Sequence, residues 1–165
     1  MTAKSKFSRS MLATAMVSAL LLGPASPALA DQPTTAAGTF TLVDLASRTV
    51  TLERTADGNQ FFAVRHETPA YSGGLVGIAI DNYELIVHAD GSVNGQGTET
   101  CSTCTIGGRT GDYTATFTFQ GTTAQIAGHI TFQSGAGGLA GLHGGGGTFQ
   151  GSTSGTYAYQ FQFAP

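Results

Sequence analysis

The sequence predicts an all-β protein, and two segments carry most of that prediction. Residues 113–119 (Tyr-Thr-Ala-Thr-Phe-Thr-Phe) and 157–163 (Tyr-Ala-Tyr-Gln-Phe-Gln-Phe) place an apolar residue, usually aromatic, at every second position. A period of two with aromatic and β-branched residues is typical of a half-buried strand. We find no capped amphipathic helix of useful length in residues 31–165.

The other strands follow from weaker forms of the same pattern. Segment 126–132 alternates, with Ile126, Ile130 and Phe132 on one face and His129 on the other. The remaining candidates, in chain order, are 38–44, 48–55, 60–67, 74–88 and 92–100. Residues that favour turns lie between strands, namely Asp57-Gly58, Ser72-Gly73-Gly74, Asp90-Gly91, Gly107-Gly108 and Gly121. We therefore expect about eight short strands linked by hairpins.

Two architectures fit such a chain, a β-sandwich and a closed barrel. Segment 74–88 is long for one strand and apolar on both faces, so it predicts a bend at Gly77 or at Asp81-Asn82. Glycines within strand patterns suit the tight coiling of a small barrel and favour it over a sandwich. These glycines are Gly77, Gly95, Gly97 and Gly128.

Segment 135–147 is rich in glycine and resembles a flexible linker in composition. Leu139 and Leu142, however, are spaced by three residues, which suffices to pack one turn onto a core. A linker would not need them. We therefore predict an ordered turn that joins two strands.

The first 30 residues have the features of a secretory signal peptide. Lys4, Lys6 and Arg9 form a basic start, residues 11–23 are apolar, and 28–30 (Ala-Leu-Ala) supply a small-residue cleavage site. We expect cleavage near Ala30 and a secreted protein. The expected organisation is a signal peptide over 1–30, a short mature N-terminal segment over 31–37 and a β-barrel domain over 38–165.

Removal of the predicted signal peptide makes the charge more negative. The whole chain has a formal net charge of −3, but residues 31–165 hold four arginines, no lysine and ten acidic residues, which gives −6. Nucleic-acid binding needs clustered Lys and Arg, so we expect no nucleic-acid partner. We also expect no membrane association after cleavage, because no second long apolar stretch follows.

Two glycine motifs resemble those of the DUF3224 family. Residues 135–144 (GAGGLAGLHG) are similar to its G-(T/S)-G-x-L-x-G-L-x-G signature, and residues 107–113 (GGRTGDY) to its G-G-R-S-G-x-F element. The Asp90-Gly91 hairpin and the later Gly97-x-Glu99 also match the family's order of elements. More distantly, the first motif resembles a stretch of plant allene oxide cyclases and dirigent proteins. The similarity spans roughly residues 38–163.

The resemblance implies a single antiparallel β-barrel of about eight strands, allene oxide cyclase-like, with an apolar central cavity. The DUF3224 family brings no assigned activity. Plant allene oxide cyclases and dirigent proteins guide ring closure or radical coupling, largely by holding an apolar substrate in one shape. The resemblance therefore implies an apolar small molecule as partner, while the chemistry would lie in cavity residues outside the shared glycine motifs.

Cys101 and Cys104 form a C-x-x-C pair that permits three interpretations. A redox pair needs a helix N-terminus, whereas Thr-Ile-Gly-Gly and a strand follow here. A zinc half-site needs two more ligands, and the four histidines lack ligand spacing. In an exported protein, a local disulfide that clamps a strand end is the favoured interpretation.

The sequence contains none of the usual cofactor or metal motifs. No G-x-S-x-G elbow occurs, and the glycine-rich segment ends without the Lys-Ser/Thr of a phosphate loop. We predict no metal and no cofactor. The oligomeric state is left open.

Glu99 is the candidate catalytic residue, because it shares strand parity with Val93, Gly95 and Gly97 and so points inward. A buried Glu has a raised pKa unless it is paired, which suits a general acid. Arg65 and Glu67 lie on the same face as Phe61 by strand parity, and both can pair with Glu99 at the barrel mouth. The candidate ligand-binding residues are Arg65, Glu67, Tyr83, Tyr113, Phe117, Tyr157, Tyr159 and Phe161.

Three functions remain open on sequence grounds. The leading hypothesis is a secreted barrel that binds an apolar or aromatic small molecule in its lumen. The second is a cyclase or isomerase that folds its substrate and uses one acid, Glu99. The third is an extracellular structural or interaction module with a filled core, and the volume of the lumen separates it from the other two.

Overall fold

The computed structural model describes residues 32–164, and nine strands account for most of them. The predicted signal peptide lies outside the described residues. The strands are β1 (Thr34–Val43), β2 (Thr49–Ala56), β3 (Asn59–Gly73), β4 (Leu75–Val87), β5 (Ser92–Ile106), β6 (Arg109–Thr122), β7 (Ile126–Gly137), β8 (Leu142–Gly151) and β9 (Ser154–Phe163). In the described part of the chain, no helix is long and apolar enough to cross a membrane.

The nine strands form a single antiparallel sheet that curls into a ring. From β2 to β9, each strand pairs with the next in sequence. β1 pairs with β9 on one side and with the second half of β3 on the other, so eight strands close a barrel-like circuit. β2 pairs with the first half of β3. The all-β prediction is confirmed, and the single barrel-like sheet agrees with the favoured barrel and not with the alternative sandwich.

The inner face of the ring is an aromatic core. Alternate residues of β6 and β9 are buried there, as the period of two predicts: Tyr113, Ala115, Phe117, Phe119, Tyr157, Tyr159, Phe161 and Phe163. Rings from different strands meet, for example Phe132 and Phe161, whose centroids lie 4.4 Å apart. Aromatic side chains bury large apolar areas, so this stack supplies much of the driving force for closing the sheet.

Two of the register shifts in the sheet involve β4, once with β5 and once with β3. On β4 the pairing with β5 shifts between Val76 and Ala79, where Gly77 has a φ of 148° and a Cβ would collide with Cys104 Sγ. Of the two predicted positions, the irregularity therefore lies at Gly77, while Asp81 and Asn82 pair regularly with β5; the extra residue is on β5. On β3 the pairing with β4 shifts between Val64 and Glu67, where His66 has a φ of 57°. One extra residue on a strand reverses which face the following residues occupy.

The glycine-rich segment contains both a turn and a strand. Residues 138–141 form the turn, Leu139 and Leu142 are buried beneath it, and the predicted packing of this turn is therefore confirmed. Gly144 to Gly147, however, belong to β8 and pair with β9. At Gly147 a Cβ would collide with the carbonyl oxygen of Ala158. Glycine here permits β8 and β9 to approach each other closely. The composition of this segment had indicated a turn.

Candidate functional site

A cavity of about 300 Å³ lies inside the ring. Rings from several strands line it: Phe40, Tyr71, Tyr83, Phe117, Phe119, Phe149 and Tyr159. Among residues 32–164, the charged side chains that line it are Arg48, Glu67, Asp81 and Glu99. A larger depression of about 1150 Å³ runs over solvent-facing residues such as His129, Thr148 and Gln150, and so lies on the outer face of the sheet.

Three carboxylic acids form a row across neighbouring strands. Glu67 on β3 lies directly opposite Asp81 on β4, and Asp81 lies directly opposite Glu99 on β5. All three side chains reach the cavity. Like charges that face each other across strands destabilise a sheet. The row therefore opposes folding, and such arrangements are characteristic of functional sites.

Glu99 is buried, with 2 % of its surface exposed, and two tyrosines hold its carboxyl. The Tyr113 hydroxyl donates to Oε1 at 2.7 Å, and the Tyr71 hydroxyl donates to Oε2 at 2.5 Å. Burial raises the pKa of Glu99, while the hydrogen bonds from Tyr71 and Tyr113 act in the opposite direction. On balance the pKa of Glu99 is raised, but it has donors on both oxygens, and the pKa of its neighbour Asp81 is raised well above its usual range; of the two acids, Glu99 is therefore the proton acceptor.

Asp81 lacks such donors. Its Oδ1 atom is buried and accepts no hydrogen bond from an N–H or hydroxyl group of the residues that the structure describes. Burial raises the pKa of Asp81 well above its usual range, and the neighbouring carboxyls of Glu99 and Glu67 raise it further. The Asp81 and Glu99 carboxyls are close enough to share a hydrogen bond. The favoured state has one proton on Asp81, donated to an ionised Glu99.

Glu67 has its own partners near the opening of the cavity. Arg48 Nη1 donates to Glu67 Oε1 at 2.9 Å, and the Tyr83 hydroxyl lies 3.1 Å from both carboxyl oxygens. Burial raises the pKa of Glu67, and the Arg48 guanidinium partly offsets this. Arg48 is about one-third exposed, so this ion pair lies between the cavity and solvent.

Arg65 does not share a face with Glu67, which corrects the arrangement predicted from strand parity. The bulge at His66 separates the two residues, so Glu67 faces inward and Arg65 outward. The Arg65 guanidinium donates to the carbonyl oxygens of Val64 at 3.0 Å and Tyr83 at 2.9 Å. It is held against the outer face of the sheet and lines no part of the cavity.

The predicted aromatic residues divide between the cavity and the core. Tyr83, Phe117 and Tyr159 line the cavity, and Tyr113 contacts Glu99. Tyr157 binds the backbone instead, since its hydroxyl accepts a hydrogen bond from the Leu75 backbone N–H at 2.8 Å. Phe161 packs in the core and lies outside the cavity lining.

The sequence candidates omit the charged residues Arg48 and Asp81 and the rings of Phe40, Tyr71, Phe119 and Phe149, all of which line the cavity. The sequence pattern places Asp81 only in a bend. One signal was available, since pairing β4 with β5 through the Asp90-Gly91 turn places Asp81 opposite Glu99. Arg48 and Tyr71 required knowledge of the ring closure, because Arg48 precedes β2 and Tyr71 follows the bulge on β3.

Cys101 and Cys104 form a disulfide, as the favoured interpretation predicts, and the described residues contain no free cysteine. The bridge spans a shift in the pairing of β5 with β6. Within the bridged loop, the Thr103 N–H donates to Asp112 Oδ1 at 3.0 Å. Within residues 32–164, no three His, Cys, Asp or Glu side chains are placed to hold a metal ion.

One solved structure has a similar fold along most of the chain. It is a protein of unknown function from the DUF3224 family of Shewanella oneidensis MR-1, with a TM-score of 0.62 and 20% sequence identity. The match covers 81% of this chain and 99% of that one. At this identity the likeness establishes the fold, and it agrees with the motif resemblance to DUF3224. No protein-family model matches the chain, and no curated protein matches it.

Proposed function

We propose that this protein is exported and binds an apolar or aromatic small molecule in the cavity inside the ring. The observation that carries the proposal is the cavity itself, about 300 Å³ in volume and lined by aromatic rings together with a row of carboxyls. Ligand pockets occupy roughly 300–1,000 Å³ and combine apolar walls with a few polar groups. A purely structural module would fill this space with side chains, so the open lumen favours binding.

The row of carboxyls supports a functional lumen independently of its volume. Glu67, Asp81 and Glu99 are kept on adjacent strands at a cost to folding, where apolar residues would pack better. A binding site explains this cost, because polar groups inside an apolar pocket fix the orientation of a ligand.

The test uses 1-N-phenylnaphthylamine, an uncharged aromatic probe whose fluorescence rises in apolar surroundings. We expect saturable binding by the native protein, with a higher unfolding temperature as the probe is added. Val93→Phe places a ring in the lumen and should abolish binding, whereas Thr98→Phe on the outer face of the same strand should preserve it. Absence of saturable binding by the native protein, or equal binding by both variants, would refute the proposal.

A second candidate is acid–base catalysis of an isomerisation or ring closure, and the Asp81–Glu99 pair is the observation that favours it. An ionised Glu99 takes a proton from one atom of the substrate while a neutral Asp81 gives its proton to another. The pair then holds one proton again, so the step balances without a further reactant. Proton transfer by positioned groups of this kind contributes about 10²–10⁴-fold to a rate.

The catalytic candidate is tested by conversion. The protein is incubated with metabolites extracted from culture, and new products are sought by mass spectrometry. We expect Asp81→Asn and Glu99→Gln each to abolish any conversion, and Glu84→Gln, on the outer face, to leave it unchanged. Conversion that survives Glu99→Gln would exclude the acid–base role.

A further inference from the structure

The cavity holds more negative than positive groups. Among the described residues that line it, three are carboxylic acids and one, Arg48, is a cation. Arg48 pairs with Glu67 at 2.9 Å. One proton shared between Asp81 and Glu99 neutralises one of the remaining acids. One negative charge is therefore left without a countercharge in the lining.

That charge lies deep in the site and is expensive to bury. Glu99 has 2 % of its surface exposed, and its partners are neutral hydroxyls. A buried charge needs a partner of opposite sign, because hydrogen bonds alone offset only part of the lost hydration. Within the lumen, a ligand is the available source of such a partner.

Asp81 Oδ1 marks where the partner would bind. The Asp81 side chain lines the cavity, and its buried Oδ1 atom accepts no hydrogen bond from an N–H or hydroxyl group of the described residues. Buried polar atoms are almost always satisfied, so an acceptor left without a donor points to a missing N–H or O–H group. Tyr71, Tyr83 and Tyr159 also line the cavity, and aromatic rings attract cations that bind over their faces.

Resting on the proposed function, we infer that the ligand is an aromatic or apolar primary amine in its protonated form. Its ammonium group donates hydrogen bonds to Asp81 and Glu99, and its apolar part packs against the rings of the lumen. Arg48 and Glu67 neutralise each other near the opening, so an amine passing them meets no net repulsion. An anionic or a neutral ligand would leave Glu99 without a countercharge.

Amine binding should depend on pH. One ammonium neutralises one carboxylate, so Asp81 keeps its proton and Glu99 is the group held ionised. Binding therefore releases a proton wherever Glu99 is still protonated in the free protein, and becomes tighter as pH rises through that range. The groups that face Asp81 are Glu67 and Tyr71 from β3, Tyr83 from β4, Glu99 from β5, Tyr113 from β6 and Tyr159 from β9. The pKa values of these four tyrosines are raised, so they stay neutral in the range tested.

The experiment compares two probes of nearly equal shape, 2-(1-naphthyl)ethylamine and 2-(1-naphthyl)ethanol, by isothermal titration calorimetry. At pH 7.5 we expect the native protein to bind the amine at least about tenfold more tightly than the alcohol. Asp81→Asn with Glu99→Gln should remove that preference. Glu84→Gln removes one negative charge from the outer face of β4 and should retain it.

A measurement on the native protein alone tests the inference even if the variants fail to fold. Titrations between pH 5 and pH 8 in buffers of different ionisation enthalpy should show proton release with the amine, larger towards pH 5, and none with the alcohol. Equal affinity for both probes, or no proton release, would overturn the amine inference and leave the proposed function standing. Failure of the alcohol, the amine and the phenylnaphthylamine probe alike would overturn both.

Discussion

Asp81 and Glu99 face each other directly across β4 and β5, with both carboxyls in the lumen. Two tyrosine hydroxyls donate to Glu99, whereas Oδ1 of Asp81 receives no donor from the described residues. This asymmetry gives the two acids different preferred states, because donors stabilise a carboxylate and burial without donors stabilises the protonated acid. A pair of carboxyls pushed apart in this way is the usual arrangement for an acid beside a base.

Asp81→Asn should stabilise the protein at neutral pH. Asn is neutral at every pH and keeps an N–H donor for Glu99. The raised pKa of Asp81 means that its burial costs nothing below the unfolded value of about 3.9, costs progressively more as pH rises from there towards the folded value, and costs a constant amount above it. We expect a gain of about 1–3 kcal/mol in the free energy of unfolding at pH 7.5, and little at pH 4.

Urea unfolding at the two pH values measures this gain. Glu84→Gln is the matched control, because it removes a carboxylate from the exposed face of the same strand and should change the stability by less than about 0.5 kcal/mol. A gain from Asp81→Asn that is the same at pH 4 and pH 7.5 would show that Asp81 is not held in its neutral form.

Tyr113→Phe should destabilise the protein in a manner that depends on pH. The variant loses the hydroxyl that donates to Glu99 Oε1 at 2.7 Å, so the pKa of Glu99 rises further. A hydrogen bond to a charged group contributes about 1.5–3 kcal/mol. Because a raised carboxyl pKa lowers stability only above the unfolded value, the loss should be larger at pH 7.5 than at pH 4.

Tyr157→Phe provides the comparison for Tyr113→Phe. Tyr157 is also buried, but its hydroxyl accepts from the Leu75 N–H and contacts backbone carbonyls, none of which titrates. Its loss leaves a buried N–H unpaired and should cost about 1–3 kcal/mol at both pH values. If the two variants showed the same pH dependence, Glu99 would not be the group that Tyr113 stabilises.

Strand alternation predicted the parts of the fold where aromatic residues repeat every second position. β6 and β9 were found in this way, and the parity of β5 correctly placed Glu99 inside. β8 was missed because Gly144 to Gly147 have no side chains to alternate, although glycine is what permits their close pairing with β9. Alternation reflects the side chains of a strand, so it cannot identify a strand whose contacts are made by the backbone.

Bulges limited how far the site could be predicted. The extra residue at His66 moved Arg65 to the outer face and kept Glu67 in the lumen, and nothing in the local sequence marks it. Non-glycine residues with positive φ are uncommon, so parity counted through His66 gave the wrong face for Arg65. The carboxyl row depends on the same bulge, because it sets Glu67 opposite Asp81.

The disulfide makes a prediction for the isolated protein. Its mass should be two hydrogens lower than that of the reduced form, and alkylation should label both cysteines only after reduction. Replacing Cys101 and Cys104 by serine should cost about 2 kcal/mol, since closing so short a loop restricts the unfolded chain only modestly. Two thiols that react without reduction would contradict the bridge.

Gly128→Ala should be far more damaging than its small change in volume suggests. Gly128 lies on the inner face of β7, where a Cβ would collide with the Phe149 ring and with the Thr118 carbonyl oxygen. The carbonyl is part of the β6–β7 ladder and cannot move aside, so we expect a loss of about 1–3 kcal/mol.

Gly144→Ala on the neighbouring strand β8 is the matched control for Gly128→Ala. A Cβ there would meet only the flexible amide end of Gln162, at 3.0 Å, which can rotate away. We expect a loss below about 1 kcal/mol, measured by urea unfolding alongside Gly128→Ala. Equal losses at the two positions would show that glycine is needed in these strands for backbone freedom and not for the close approach of the Phe149 ring.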